Sequence, residues 1–323
     1  MPLPKKEYIS EDEPMDSKKS NKKAWLYLAP AIILLAIFSF YPLLNTFRMA
    51  FLNGYNGMEV VGGEKFTIGI QNFKTVVGNV DFKQYLKNTI LLCVITVPIS
   101  TTLALLIAVA LNSIKAVQKV FQTVFFLPYV TNSIAIGMVF NAMFTQVRVG
   151  SLVQTYGIIN NIIGVFGIEP INFVNSGSTW GANMFVVCFY IVWHALPFKI
   201  LVLLGGLQNV NKQYYDAAKI DGTSKTRTFF KITVPLVSPM LAYVIITSFI
   251  GGFKEYSSIV GIFGETMGPA GSSGQMNTIV GYVYNMLPKS NLGNASAASL
   301  ILFAIILVVT AINGYVSKKK VHY

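Results

Sequence analysis

The sequence predicts an all-α integral membrane protein with six transmembrane helices. Three observations carry that prediction. The 323 residues are 53% hydrophobic and only 12% charged, with a mean hydropathy of +0.56, whereas a soluble globular chain carries roughly 25% charged residues. The apolar residues fall into long runs, and a helix needs about 20 of them to cross a hydrocarbon core of about 30 Å. The basic residues, 22 Lys and 3 Arg, collect mainly in the segments between those runs. Disorder, a collagen-like repeat and an ordinary cytosolic enzyme are excluded. A formal net charge of +12 would suggest a nucleic-acid binder in a soluble chain; here its distribution is what counts. Cys93 and Cys188 both lie inside apolar runs, which argues against a disulfide framework and a Cys-based metal site.

The spans follow in order. Residues 25–49 form the first; the run is too long for a signal peptide and no small-x-small cleavage site follows it. Residues 89–111, 121–144, 180–204, 236–259 and 295–316 supply the other five. Helices satisfy their own backbone groups, as lipid demands. Pro42, Pro98, Pro128 and Pro197 predict kinks that neighbouring helices stabilise. Residues 150–168 are apolar but broken by Gly and Asn. Their pattern predicts an interfacial or re-entrant segment, with a seventh span as the alternative.

Orientation follows from the bias of Lys and Arg towards the cytoplasm. Sixteen basic residues fall in the two tails, the 112–120 loop and the loop between spans four and five; seven are spread over the longer segments of the other side. Both termini are therefore expected in the cytoplasm. The expected layout is a disordered tail over residues 1–23, rich in both Lys and acids, then a membrane domain over 24–317 and a short tail over 318–323.

The 207–239 loop has internal order. Asn211 is placed to cap a short helix through Tyr214 and Lys219, with Asp216 near its start. Gly222 permits a sharp turn. A second helix over 224–233, with Phe229, Phe230 and Ile232 on a partly apolar side, is expected to end before Pro235. Two short helices and a Gly bend make a rigid knob suited to a groove in another protein.

Here a resemblance becomes specific. Asp216-Ala217-Ala218, two residues, Asp221-Gly222, then Phe229, Ile232 and Pro235 resemble the cytoplasmic coupling-loop signature of ABC importer permeases. Asp216 stands where the signature has Glu and Thr223 where it has Ala. Residues 68–73 (IGIQNF), 125–129 (FFLPY), Trp193 and Pro197-Phe198 resemble carbohydrate permeases of the maltose/lactose/glycerol-phosphate type. The resemblance covers about residues 25–316 and implies a type I ABC importer permease-like bundle over 24–317, with its coupling loop at 207–235. It also implies a second, homologous permease, an ATPase dimer beneath the membrane and an external sugar-binding protein. The chain has no G-x-x-x-x-G-K-[ST] phosphate loop, so ATP and Mg would be used by the partner ATPase and this chain binds no cofactor. The implied ATPase-coupling contacts are Tyr215, Asp216, Ala217, Ala218, Asp221 and Gly222.

Sugar recognition needs aromatic faces and hydrogen-bonding groups. Carried over from related disaccharide permeases, the implied pathway residues are Tyr129, Ser133, Trp193, His194, Ser248, Gly252 and Glu255; His194, Ser248, Gly252 and Glu255 depart from the amide-rich maltose-type pattern. Helix–helix packing is the alternative for Tyr129 and Trp193. Ionisable residues within spans are costly and mark function by default. Glu255 is read either as accepting sugar hydroxyls or as structural. Lys199 is read as snorkelling to an interface, Lys254 as pairing with the partner permease, and His194 as a hydrogen-bonded helix residue. No ligand spacing suggests a metal site, and no nucleophile–base pair suggests catalysis. The Gly-, Ser- and Met-rich stretch 261–277 reads as a flexible loop, and in family terms lies near the binding-protein dock. With only Lys199 and Lys254 available for a phosphate, a neutral sugar, expected to be an oligosaccharide, is favoured over glycerol phosphate. A proton-coupled secondary transporter using Lys254 and Glu255 is the competing class.

Overall fold

The structure is a computed structural model and describes residues 17–57, 60–61, 64–114, 120, 123–124, 127, 129–149 and 152–320. Residues 1–16 of the expected disordered tail lie outside the described residues, as do Phe125, Phe126 and Pro128. The chain forms two units, residues 1–49 and 50–323.

The first unit is helical from Ser17, inside the stretch expected as a tail. Helix α1 (Ser17–Leu35) passes through a π-helical turn, Ala36–Phe40, into α2 (Tyr41–Phe51). The wider turn has a local cause. Pro42 has no N–H, and in an α-helix its ring would strike the carbonyl one turn back. The chain widens just before it, so that the Tyr41 N–H reaches the Ala36 carbonyl instead. Ala24–Phe51 is 28 residues long and apolar, matching the first expected span.

In the second unit, α3 (Gln71–Gly78) leads into α4 (Val80–Ser113), whose first turn is closed by Asn79 accepting from the Phe82 N–H. Its 34 residues rise about 51 Å, well beyond a hydrocarbon core of about 30 Å. The helix therefore extends past the expected 89–111 window. Helix α7 (Trp180–Gln208), capped by Thr179, packs along α4, and α14 (Leu292–Lys320) packs on α3, on α11 (Ser238–Gly252) and on α13 (Ile279–Met286).

Two expected spans are broken. The third is interrupted at Thr131–Asn132, where the Asn132 side chain accepts from the Ile134 and Ala135 N–H groups and starts α5 (Ser133–Phe144) afresh. The fifth is not the single 236–259 helix expected: α11 ends at Gly252, and after Phe253–Tyr256 the chain resumes as α12 (Ser257–Phe263). Gly251 and Gly252 weaken the helix there, and Glu255 caps the next one. Among the described residues four helices are long and apolar enough to cross a membrane, and a fifth is reached by joining Lys225–Leu236 to Ser238–Gly252 across a 70° bend. The expected six is thus met in part.

The all-α class expected holds, with two small hairpins beside the helices. A small hairpin pairs β1 (Val60–Val61) with β2 (Glu64–Lys65), and a second pairs β3 (Gln146–Val149) with β4 (Leu152–Tyr156). The second hairpin and α6 (Ile158–Val165) occupy the described part of the stretch weighed as a seventh span. Asn160 fixes α6 by exchanging both hydrogen bonds with the Ile171 backbone.

Lipid is as apolar as Leu, so the helices are held by close contact and polar bonds more than by hydrophobic association. Helices α5 and α12 cross at two glycines: a Cβ on Gly137 would lie 2.6 Å from the Gly261 Cα. At the other extreme is a polar cluster. Buried Asn88 donates to the Gln275 and Asn277 carbonyls at 3.0 and 2.9 Å and accepts from the Trp180 indole at 3.1 Å. Asn183 donates to Gln275 Oε1 at 2.6 Å. These bonds bind the 264–278 stretch to the starts of α4 and α7, and the stretch's own Met267 and Met276 are buried. The flexible loop expected for 261–277 is instead a tied and largely packed one, because its backbone carbonyls satisfy the amides of Asn88.

Gly137→Ala or Gly261→Ala is expected to lower stability by about 1–3 kcal/mol through overpacking. Gly205→Ala, with open space at its Cβ, is expected to be neutral or slightly stabilising. Thermal unfolding of the detergent-solubilised protein separates the two outcomes.

Candidate functional site

One cavity of about 420 Å³ opens between α4, α5, α7 and α11. Its lining follows from helical spacing. Tyr190, His194 and Phe198 recur every fourth residue on α7 and so share a face; Thr96 and Ser100 do the same on α4. Thr96 bonds its hydroxyl back to the Leu92 carbonyl at 2.7 Å. The two helix breaks supply the rest: Tyr129 and Ser133 flank the first, and Glu255 with Ser257 the second.

Aromatic faces line one part of the wall. The rings of Tyr129 and Phe198 stack at 5.8 Å and 17°, and those of Tyr190 and His194 at 5.6 Å and 15°. The Tyr190 hydroxyl donates to the Ser133 carbonyl at 2.8 Å and lies 2.9 Å from its Oγ. His194 Nε2 is buried without a hydrogen-bond partner among the described residues, so the hydrogen-bonded role expected of it is not what it has. Glu255 Oε1 accepts from the Tyr256 and Ser258 N–H groups at 3.2 Å and from the Ser258 hydroxyl at 2.6 Å. One carboxylate oxygen thus caps α12. Gly252 sits where a side chain would meet Cys93 Sγ at 3.0 Å.

Lys199 differs from the expectation. It does not snorkel: it is buried, and its Nζ donates to Ser100 Oγ at 2.6 Å and Thr101 Oγ1 at 3.1 Å. Two hydroxyls on α4 offer it a nearer solution than the distant interface. Lys254 lines the same cavity and forms no salt bridge among the described residues.

Of the seven residues named for the pathway, Tyr129, Ser133, His194, Ser248, Gly252 and Glu255 meet in this cavity. Trp193 does not line it. It points one step round α7, packs on Phe140 at 5.4 Å and is half-exposed. Sequence reasoning missed Thr96, Ser100 and Tyr190. The every-fourth-residue pattern of Tyr190, His194 and Phe198 was the available signal.

The second place of interest is the basic segment. Helix α8 (Lys212–Ile220) starts at Asn211, whose Oδ1 accepts from the Gln213 N–H at 2.9 Å. It ends on Gly222 at φ +65°, with the Thr223 N–H bonded to the Ala218 carbonyl, a left-handed stop that favours glycine. Tyr215 and Asp216 line a cavity of about 610 Å³ between this segment and the ends of α4 and α7, while Ala217, Asp221 and Gly222 are exposed. Ala218 is buried and faces the protein. The Asp216–Lys219 pair at 3.6 Å is exposed enough to contribute little.

After the Ser224 cap the chain runs through α9 (Lys225–Thr228), a π turn at Phe229–Thr233 and α10 (Val234–Leu236). The expected stop before Pro235 is therefore absent. The device used before Pro42 recurs: the Val234 N–H reaches back to the Phe229 carbonyl, and the widened turn admits the proline. Ile220 and Phe230 stand exposed on this segment.

With this geometry in hand, comparison with known proteins is decisive. Residues 100–322 match the family described as the inner membrane component of binding-protein-dependent transport systems. The chain belongs to this family of ABC transporter permeases, in its carbohydrate-uptake branch. The permease is 31% identical over 298 residues to the arabinooligosaccharides transport system permease protein AraP of Bacillus subtilis (strain 168), covering 91% of this chain and 88% of that one. It is 30% identical over 292 residues to the lactose transport system permease protein LacF of Rhizobium radiobacter, covering 90% and 91%. Its fold matches a chain in the crystal structure of a bacterial ABC transporter involved in the import of the acidic polysaccharide alginate, with TM-score 0.74 and 20% identity over 94% of this chain and 98% of that one. A second such structure, in complex with an alginate pentasaccharide-bound periplasmic protein, matches with the same TM-score and identity. Members of the family are transport subunits, not enzymes.

Lys199→Met is expected to leave the thermal midpoint of the permease unchanged or raised, since it removes a buried charge. Ser100→Ala with Thr101→Val, which strips that ammonium of its acceptors, is expected to cost about 1–3 kcal/mol. Unfolding curves of the two variants in one detergent check the contrast.

Proposed function

We propose that this permease is one half of the membrane pathway of an ATP-driven importer, and that its cavity passes a neutral oligosaccharide. The observation that carries the substrate class is the wall itself. The Tyr129 and Phe198 rings stand beside Ser133, His194, Ser248 and Glu255, the pairing of flat apolar faces with hydrogen-bonding groups that a sugar ring requires. Lys199 is already committed to Ser100 and Thr101, and no converging set of Lys and Arg forms a phosphate clamp among the described residues of the wall. Relatives named for arabinooligosaccharides and lactose support the same class. Membership of an ABC family sets the proton-coupled reading aside.

A second permease, two ATPases and an external sugar-binding protein complete the machine, with ATP and Mg held by the ATPases. The α8 segment, through Tyr215, Asp216, Ala217, Asp221 and Gly222, is the ATPase dock, with Ala218 supporting it from within. Six crossings are completed by counting the broken third and fifth helices as spans. Both termini face the cytoplasm. In support, one cavity joins the ends of α4 and α7 to the basic α8, and another joins Val234 and Pro235 to the end of α14. The basic segments thus gather at one end of the bundle.

Co-purification from native membranes is expected to recover a second permease and an ATPase with the wild type, and to lose the ATPase with Gly222→Glu. A chain that purifies alone and ignores this change would sink the coupling proposal. Tyr129→Ala is expected to raise the KM of uptake roughly tenfold by removing a stacking face; unchanged uptake kinetics for every sugar transported would remove Tyr129 from the pathway.

A further inference from the structure

Glu255 reaches the cavity from a break between two helices, and its two carboxylate oxygens are treated differently. Oε1 is spent on the Tyr256 and Ser258 N–H groups and the Ser258 hydroxyl. Oε2 has no partner among the described residues and is not shut away from solvent; the residue itself lines the cavity. A carboxylate oxygen left open in this way is a strong acceptor, since its hydrogen bonds are charge-assisted. A sugar hydroxyl is the donor it suits.

The place of this residue is set from outside the cavity. Thr278 is fully buried and does not line the wall. Its hydroxyl donates to the main-chain carbonyl of Glu255 at 2.8 Å and accepts from the Gly281 N–H at 3.3 Å, in the first turn of α13. The residues on either side of it are pinned to α4. The Asn277 carbonyl accepts from Asn88 at 2.9 Å, and the Ile279 N–H donates to Thr89 Oγ1 at 3.1 Å. Thr96 and Ser100, further along α4, line the cavity. Thr278 is therefore the joint through which Glu255 is held against α4 and its share of the wall.

We infer that Thr278 is a positioning residue for sugar recognition. It fixes the main chain of Glu255 while Ser258 fixes one carboxylate oxygen, and together they hold Oε2 ready for a hydroxyl of the passing sugar. The inference rests on the cavity being the sugar pathway. A recognition group has to be held within about 0.5 Å of its working geometry by the residues behind it. An anchor at each end of Glu255 meets that demand.

The test measures kcat/KM for uptake by the complete transporter in proteoliposomes. The probe is the best transported of a panel of neutral oligosaccharides that includes lactose and arabinotriose. Thr278→Val is expected to lower kcat/KM about tenfold, the worth of one hydrogen bond, and Thr278→Ser to stay within about twofold of the wild type. Glu255→Gln, whose amide can stand where Oε2 stood, is expected to lower it at least as far. Adding Thr278→Val to Glu255→Gln is then expected to cost less than about twofold more, because the hydroxyl acts through the carboxylate. Additive losses make Thr278 a purely structural residue and overturn the proposal, as does unchanged uptake in Thr278→Val. If Thr278→Val does not assemble, Ser258→Ala in the same two backgrounds carries the same expectation and the same refutation. Tyr129→Ala, measured alongside, separates this proposal from the reading beneath it. A loss there with none in Glu255→Gln leaves the pathway standing and sinks the role of Thr278; a loss in neither, or no uptake of any neutral oligosaccharide, sinks both.

Discussion

Inside a bilayer no water stands ready to take a backbone hydrogen bond, and the rest of this structure depends on that constraint. A helix may stop within the membrane only where the protein itself, or a water-filled cavity, receives the freed groups. Helix α11 stops at Gly252, and the helical Tyr129–Val130 gives way at Thr131–Asn132 before α5 begins. Both breaks border the same cavity. At each, one side chain takes up the new N-terminus: Asn132 with two bonds, Glu255 with two backbone N–H groups and the Ser258 hydroxyl. The cavity and the broken helices are therefore one feature. A pair of unbroken spans would leave no irregular backbone at this depth and no corners from which Tyr129 and Glu255 could reach inward.

The same constraint explains how polar residues are spent elsewhere. Asn88 and Asn183 stitch a Gly-rich loop onto two helices, and Lys199, two residues after Pro197, ties α7 to α4 through hydroxyls two and three residues after Pro98. Close packing does the remainder, with glycines meeting where α5 crosses α12.

Much of this was legible in the sequence, and the failures have physical causes. Long unbroken apolar runs gave α4, α7 and α14, because length and hydropathy suffice there. The coupling segment was also readable: Asn211 caps as expected and Gly222 takes a positive φ. The breaks in spans three and five were not foreseen, since hydropathy counts apolar residues without asking where a side chain captures the backbone. Pro235 was misjudged because the local rule for proline stops an α-helix, while a π turn lets the chain pass. Trp193 and His194 both entered the pathway set through the resemblance, yet neighbours on a helix point about 100° apart, and only His194 reaches the cavity. Lys199 was assigned to the interface because sequence cannot reveal that Ser100 and Thr101, nearly a hundred residues away, stand within reach.

The bend at Val237 has a mechanical consequence. Helix α11 begins one residue after it and ends at Gly252 on the cavity wall, a rod of 15 residues and about 22 Å. A tilt of about 5° at its near end carries the far end sideways by about 2 Å, comparable with the width that decides whether a hydroxyl fits. If the proposed coupling tilts the basic helices, α11, unbroken from Ser238 to Gly252, would act as a crank that carries the tilt to the wall on which Ser248 and Gly252 stand.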